Sequence, residues 1–195
     1  MRFRKNKIPV LNTQRLRLRL PETGDHSKWS QLRLESRAFL EPWEPAWADN
    51  HLTRDAFFSR VEWAESAAIQ LTGLSFLLER REDNEILGAI TLDQIEFGPS
   101  KSGKVGYWMG ARFTRQGYMK EAIQSLVHHA FTTVGISRIE AACVPDNNPS
   151  RRLLENVGFK YEGVAQSYLE VAGRWRTHVL YANLRHDRRG RTDAD

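Results

Sequence analysis

Cys143 is the only thiol in this 195-residue sequence. An internal disulfide and a multi-cysteine zinc site are therefore excluded, and no metal is expected. A reducing compartment fits this usage. No stretch approaches the ~18 consecutive apolar residues of a membrane span. No apolar run of signal-peptide type follows the basic N-terminus, so a cytoplasmic location is expected. Acid is lacking too, but only locally. The first twenty residues hold Arg2, Arg4, Lys5, Lys7, Arg15, Arg17 and Arg19, and neither Asp nor Glu. The remaining 22 basic residues face 24 acidic ones, so the formal charge of +5 comes from the N-terminus. That argues against a nucleic-acid footprint over the whole fold, which needs a basic face on the domain itself. No repeat or low-complexity linker divides the chain. A single domain over residues 1–195 is expected, with 1–12 a basic arm and 185–195 a polar tail.

What is present reads as α+β around one sheet. Arg15 to Leu20 alternates strictly between arginine and leucine. That predicts a strand with leucines inward and arginines outward. Glu22 to Phe39 reads as a helix that ends before Pro42. Thr53 is a good N-cap for a second helix, with Phe57, Val61, Ala64, Ala68 and Leu71 on one face and Gly73 as its stop. Leu74–Glu79 and Glu85–Gln94 read as strands about a polar turn, and Lys104–Met109 as a third. Gly117 to Val134 has the strongest helical period, with Met119, Ala122, Ile123, Leu126 and Ala130 in register and Gly135 as stop. Arg138–Val144 is a strand, and Pro149–Val157 a short helix closed by Gly158. Phe159–Glu170 and Trp175–Leu184 are strands about Gly173.

Two loops invite an anion. Gly98 to Val105 comes within one residue of the phosphate-loop pattern, but Val105 lacks the hydroxyl that holds Mg²⁺. A strand rather than a helix follows, so the segment reads as an exposed turn. Tyr107 to Ala122 is the better candidate: a strand enters, a short loop follows, and a long helix leaves. A helix start offers unpaired N–H groups and about half a unit of positive charge. Gly117 permits close approach, and Arg112 and Arg115 add charge. The alternative is an ordinary strand-to-helix connection with a packing glycine.

Thr114-Arg115-Gln116-Gly117-Tyr118-Met119 falls on the acetyl-CoA signature of the GNAT acetyltransferase superfamily, Q/R-x-x-G-x-G/A, matching at Gly117. Asn147 to Phe159 resembles its second element, N-x-x-S followed by a short helix and Gly-Phe. The opening Thr13–Arg19, the Phe39–Trp43 block and Gly173–Tyr181 are similar to the RimJ/RimL group, and the resemblance runs from about Thr13 to Leu184. It implies a twisted, mostly antiparallel mixed sheet flanked by helices. Its two central parallel strands, Lys104–Met109 and Arg138–Val144, would splay apart. It further implies acetyl-CoA as cosubstrate, with pantetheine against Trp108 and Met109. The pyrophosphate would lie on the Thr114–Met119 loop, at the N–H groups of Arg115, Gly117, Tyr118 and Met119, and Asn147 would touch the arm. The implied acceptor is a protein N-terminus, that of a ribosomal protein, attacked by direct transfer. A small-molecule amine acetyltransferase and a non-catalytic acyl-CoA- or RNA-binding regulator are the alternatives.

The same resemblance assigns Ser150 as proton donor to the departing thiolate; on physical grounds its other reading is the N-cap of a helix starting near Arg151. Tyr168 is a second candidate acid, or else a sheet aromatic. The position of the base in the group holds Ser167, so a carboxylate is missing. Glu96 is the candidate substitute, with a solvated strand-end charge as the alternative. Cys143 has no His or acid nearby in sequence to activate it and reads as a buried free thiol rather than a nucleophile. His128 and His129 are adjacent on a helix and point apart, so they form no metal pair. Trp43 lines a peptide groove or fills the core. The basic arm is a candidate contact for ribosomal RNA. Monomer and dimer are both open.

Overall fold

The computed structural model describes residues 8–186; the arm residues Arg2, Arg4, Lys5 and Lys7 and the tail from residue 187 onward lie outside them. Eight strands form one sheet: β1 (Leu11–Asn12), β2 (Leu16–Arg19), β3 (Leu74–Arg80), β4 (Ile86–Asp93), β5 (Ser102–Met109), β6 (Arg138–Cys143), β7 (Lys160–Val171) and β8 (Arg174–Leu184). Their order is β1-β2-β3-β4-β5-β6-β8-β7. Every neighbouring pair is antiparallel except β5 with β6. The helices are α1 (His26–Glu35), α2 (Arg37–Leu40), α3 (Arg54–Gln70), α4 (Tyr118–His129) and α5 (Asn148–Asn156). Among the described residues no helix is long and apolar enough to cross a membrane, and no cluster of His, Cys, Asp and Glu could hold a metal.

The alternating strand forms as its period dictates. Leu16 and Leu18 are fully buried under α4. Its arginines do not all reach solvent, however. Arg19 bonds Asp25 through both Nη atoms at 2.7 Å and Glu79 Oε2 through Nε at 2.7 Å, while Arg17 meets the other oxygen of Glu79 at 2.6 Å. Glu79 is buried on the neighbouring strand, so the two guanidiniums supply the charge its desolvation requires. Bonding to Asp25 raises the already basic Arg19 further.

The predicted Glu22–Phe39 helix is two helices that meet at Ser36. Buried Ser36 turns its hydroxyl to accept from the N–H of Ala111 at 3.0 Å, tying this break to the loop after β5. Gly110 makes that approach possible, because a Cβ there would lie 2.5 Å from Leu32. Thr53 caps α3 as expected, accepting from the Ala56 N–H at 3.3 Å. The stop, however, is Leu71 at φ 56°, two residues before Gly73. Helix α4 carries the predicted apolar face and ends in a wider turn, Ala130–Val134, before Gly135 at φ 87°. Ala172 and Gly173, both at positive φ, make the tight β7–β8 turn.

The Arg17–Glu79–Arg19–Asp25 chain gives a stability prediction. Glu79→Ala leaves a half-buried guanidinium without its second carboxylate, and should lower unfolding free energy by about 3 kcal/mol. Urea denaturation checks this; a loss within the ~0.5 kcal/mol of an ordinary surface substitution would contradict it.

Candidate active site

The parallel strands β5 and β6 stay together only briefly. Ser102, Gly103 and Lys104 pair with Arg138, Ile139 and Glu140, and the ladder stops there. Beyond it β5 remains bonded to β4 as far as Met109, and β6 to β8 as far as Cys143. The edges of Val105–Met109 and Ala141–Cys143 that face each other are therefore without a strand partner. Backbone N–H and C=O groups left this way in a protein interior need a partner from elsewhere. An extended chain rich in amides, such as pantetheine, fits such a parting.

The loop after β5 continues the site. Arg115 at φ 60° and Gly117 at φ 83° put two left-handed residues into the turn before α4, the backbone pattern from which anion-binding nests are built. Helix α4 begins at once, with Gly117 as an N-cap that has no side chain to satisfy the first turn. Four side chains of this loop are otherwise engaged. Thr114 Oγ1 donates to the Ala111 carbonyl at 2.9 Å, Gln116 Nε2 donates to the Arg112 carbonyl at 3.0 Å, and Tyr118 and Met119 are buried. Any anion held here meets backbone N–H groups rather than these side chains.

Arg15, which the sequence pattern treats only as strand surface, joins this loop. Its Nη1 donates to the Gln116 carbonyl at 3.0 Å and its guanidinium lies over the Tyr118 ring at 4.4 Å. Its Nε donates to Glu121 at 2.8 Å. Burial alone would raise the Glu121 carboxyl, but Thr13, the Arg15 N–H and the Arg15 guanidinium together pull it below its usual range. The acid in the first turn of α4 is thereby neutralised, and the nest keeps its positive character.

One wall of the parting carries a polar pair. Tyr107 and Ser150 share a hydroxyl–hydroxyl bond of 2.8 Å. Ser150 is free for it because it is not the cap of α5. Asn147 holds that place, its Oδ1 accepting from the Ser150 N–H at 3.2 Å. What Asn147 keeps for a ligand is its amide NH₂. Burial pushes the Tyr107 hydroxyl above its ordinary range, so it stays a neutral donor. The Cys143 thiol, also on this side, is raised by burial and remains a thiol. That is the environment of an inert cysteine, not of a nucleophile.

On the other face of the sheet lies a cavity of about 550 Å³. Trp108 and Gly106 of β5 form its floor, Trp29 and Arg33 come from α1, and Glu44, Trp47 and His51 come from the loop before α3. Burial first, then the Arg33 and Arg60 charges, push His51 down to about 4. Trp47 stacks on His51 with ring centroids 4.5 Å apart. Trp43, the expected groove residue, does not line the cavity; it is half-buried in the short turn Glu41–Trp43.

The other sequence candidates separate. Glu96 is not brought to the parting. It lies on the β4–β5 connection, pairing backbone to backbone with Ser102 at the closed end of the strands, and its carboxylate accepts from Ser100 at 2.9 Å. It is the solvated strand-end charge. Gly98 to Lys101 is an exposed turn, as expected. Tyr168 sits in a bulge of β7, where Ser167 takes φ 46°, and packs edge-on against buried His178.

His51 yields a pH prediction. Unfolded, it titrates near 6.5; folded, near 4. The unfolded state therefore binds the extra proton between these values. Stability is unaffected by this group above pH 6.5 and falls as pH drops toward 4. Urea midpoints at pH 7 and pH 5 should differ more in the parent protein than in His51→Asn; equal differences would contradict this.

Residues 15–160 match the family model described as an acetyltransferase (GNAT) domain. The [ribosomal protein uS5]-alanine N-acetyltransferase of Escherichia coli K12 is 32% identical over 181 residues, covering 92% of this chain and 93% of the relative. A Mycobacterium smegmatis RimJ structure, in complex with CoA-disulfide, superposes with a TM-score of 0.84 at 32% identity, covering 91% and 88%. The ribosomal-protein-S5-alanine acetyltransferase of Vibrio fischeri shares the fold with a TM-score of 0.85 at 24% identity, covering 92% and 98%.

Proposed function

Because the chain belongs to the GNAT acetyltransferase family, we propose that it transfers acetyl from acetyl-CoA to the N-terminal α-amine of a protein, specifically a ribosomal protein. The observation that carries the reading is the parting of β5 and β6, which has a backbone nest at one end and the Ser150–Tyr107 pair on its wall. Bound acetyl-CoA supplies an activated acyl carbon there. The unpaired edge at Trp108 and Met109 binds its pantetheine arm. The N–H groups of Arg115, Gly117, Tyr118 and Met119 hold the pyrophosphate, with the Arg15 guanidinium beside them.

The acceptor enters from the cavity over Trp108. Its neutral amine attacks the thioester carbon, a C–N bond forms, and the C–S bond breaks. Ser150 donates its proton to the departing sulfur and regains one through water, while Tyr107, held neutral by burial, orients the serine through their shared bond. The proton lost by the amine passes to water. The cavity offers no uncommitted carboxylate to help, because Glu44 is bonded to Arg33 and Trp47. That favours an acceptor needing little help. An α-amine titrates near ~8 and lysine near ~10.4, so deprotonation at pH 7 costs roughly 3 kcal/mol less for the α-amine.

Thiol release from acetyl-CoA, measured with peptides that begin with Ala or Ser, tests the proposal. Turnover is expected with free N-termini and not with Nα-blocked peptides that carry an internal lysine. Ser150→Ala should lower kcat by about 100-fold while the acetyl-CoA KM stays within about twofold, since the serine acts on the leaving group rather than on binding. Turnover confined to lysine side chains or small amines, or a Ser150→Ala enzyme as fast as the parent, would refute it.

A further inference from the structure

The cavity over β5 contains a hydrogen-bond conflict. His51 presents Nε2 to Arg33 Nη2 at 3.0 Å and Nδ1 to Arg60 Nη2 at 3.1 Å. Guanidinium groups only donate, a neutral imidazole accepts at one nitrogen, and a protonated one accepts at none. Whatever its protonation, at least one ring N–H faces a guanidinium N–H.

Arg33 decides which nitrogen that is. The residue is 3% exposed, and both of its Nη atoms donate to Glu44, at 2.8 and 2.5 Å. Its guanidinium lies between the rings of Trp47 and Trp108, at 4.5 and 4.7 Å from their centroids. Glu44 and the two indole rings hold its Nη atoms in place, which assigns Nε2 as the acceptor and Nδ1 as the protonated nitrogen. That proton points at Arg60. Arg60 has no ion pair among the described residues, and its guanidinium rests 5.6 Å from the Trp29 ring. Two donors, Arg60 N–H and His51 Nδ1–H, thus converge with no acceptor between them. Glu44 makes no hydrogen bond to either donor; its oxygens accept from Arg33 and, at 2.9 Å, from Trp47 Nε1.

We infer that Arg60 and His51 form a carboxylate-binding subsite in the acceptor cavity, selecting peptides with an acidic side chain a few residues behind the reacting amine. The inference rests on the acceptor reading above. A carboxylate oxygen accepts from both donors at once, and its charge answers that of Arg60. The amine and the acid are read at separate places: the amine beside Trp108 at the parting, the acid against α3.

Peptides of one length, with Glu at position 2, 3 or 4, or Gln at the same position, test this. At one of these positions the Glu peptide should exceed its Gln partner about tenfold in kcat/KM, mainly through KM, and the ratio should shrink in high salt. Arg60→Glu should reverse the order, so that the Gln peptide becomes the better substrate. Equal parent rates for Glu and Gln at all three positions would overturn the subsite, as would an Arg60→Glu enzyme that keeps the parent ratio. Should no peptide turn over, the acetylation reading fails by itself, and binding followed by the fluorescence of Trp29, Trp47 and Trp108 decides the subsite. Tighter binding of a Glu peptide upholds it; equal binding of Glu and Gln peptides rejects it.

Discussion

The three-residue contact between β5 and β6 is the constraint on which the rest depends. Parallel strands joined by a crossover helix normally pair along their length. Here pairing ends at Lys104 and Glu140, and each strand continues with a different neighbour. The sheet therefore opens without coming apart. Six antiparallel pairings hold the two halves, and α4 spans from the opening to the far edge, touching β1, β2 and β4. The opening exposes backbone groups in the interior, a cost that becomes useful only when an extended ligand completes the ladder.

Everything functional is arranged around that opening. The loop leaving β5 turns through left-handed conformations at Arg115 and Gly117 just before α4 begins. On one face, Asn147 takes over the capping of α5 and leaves the Ser150 hydroxyl to Tyr107. On the other face, Arg33 fixes Glu44, Trp47, Trp108 and His51 as one wall. Period-two alternation along β5 is what divides these roles: Tyr107 faces α5 and Trp108 faces α1. One strand thus serves both the leaving group and the acceptor.

Much of this was legible in the sequence where the signal is local. The Arg-Leu alternation of β2, the helical period of α4 and the strand–loop–helix around Gly117 all follow from short-range pattern. Less local features escaped. Ser36 breaks a helix because of a bond to Ala111, 75 positions away. Leu71 rather than Gly73 closes α3, taking the left-handed conformation that the sequence pattern reserves for glycine. Glu96 resembled a base only because strand-end carboxylates look alike without coordinates. The cavity wall was invisible. Arg33, Glu44, His51 and Arg60 come from α1, a loop and α3, and no spacing rule joins them. Trp43 and Trp47 sit in the same aromatic block, and only the fold shows which one reaches the cavity.

Amide hydrogen exchange with and without acetyl-CoA tests the central claim most directly, because it reads the opened strands themselves. Peptides covering Val105–Met109 and Arg115–Met119 should gain protection on binding, while the distant β3 segment Leu74–Arg80 stays unchanged. Protection that leaves both segments untouched, or binding that protects only residues away from the parting, would contradict the account.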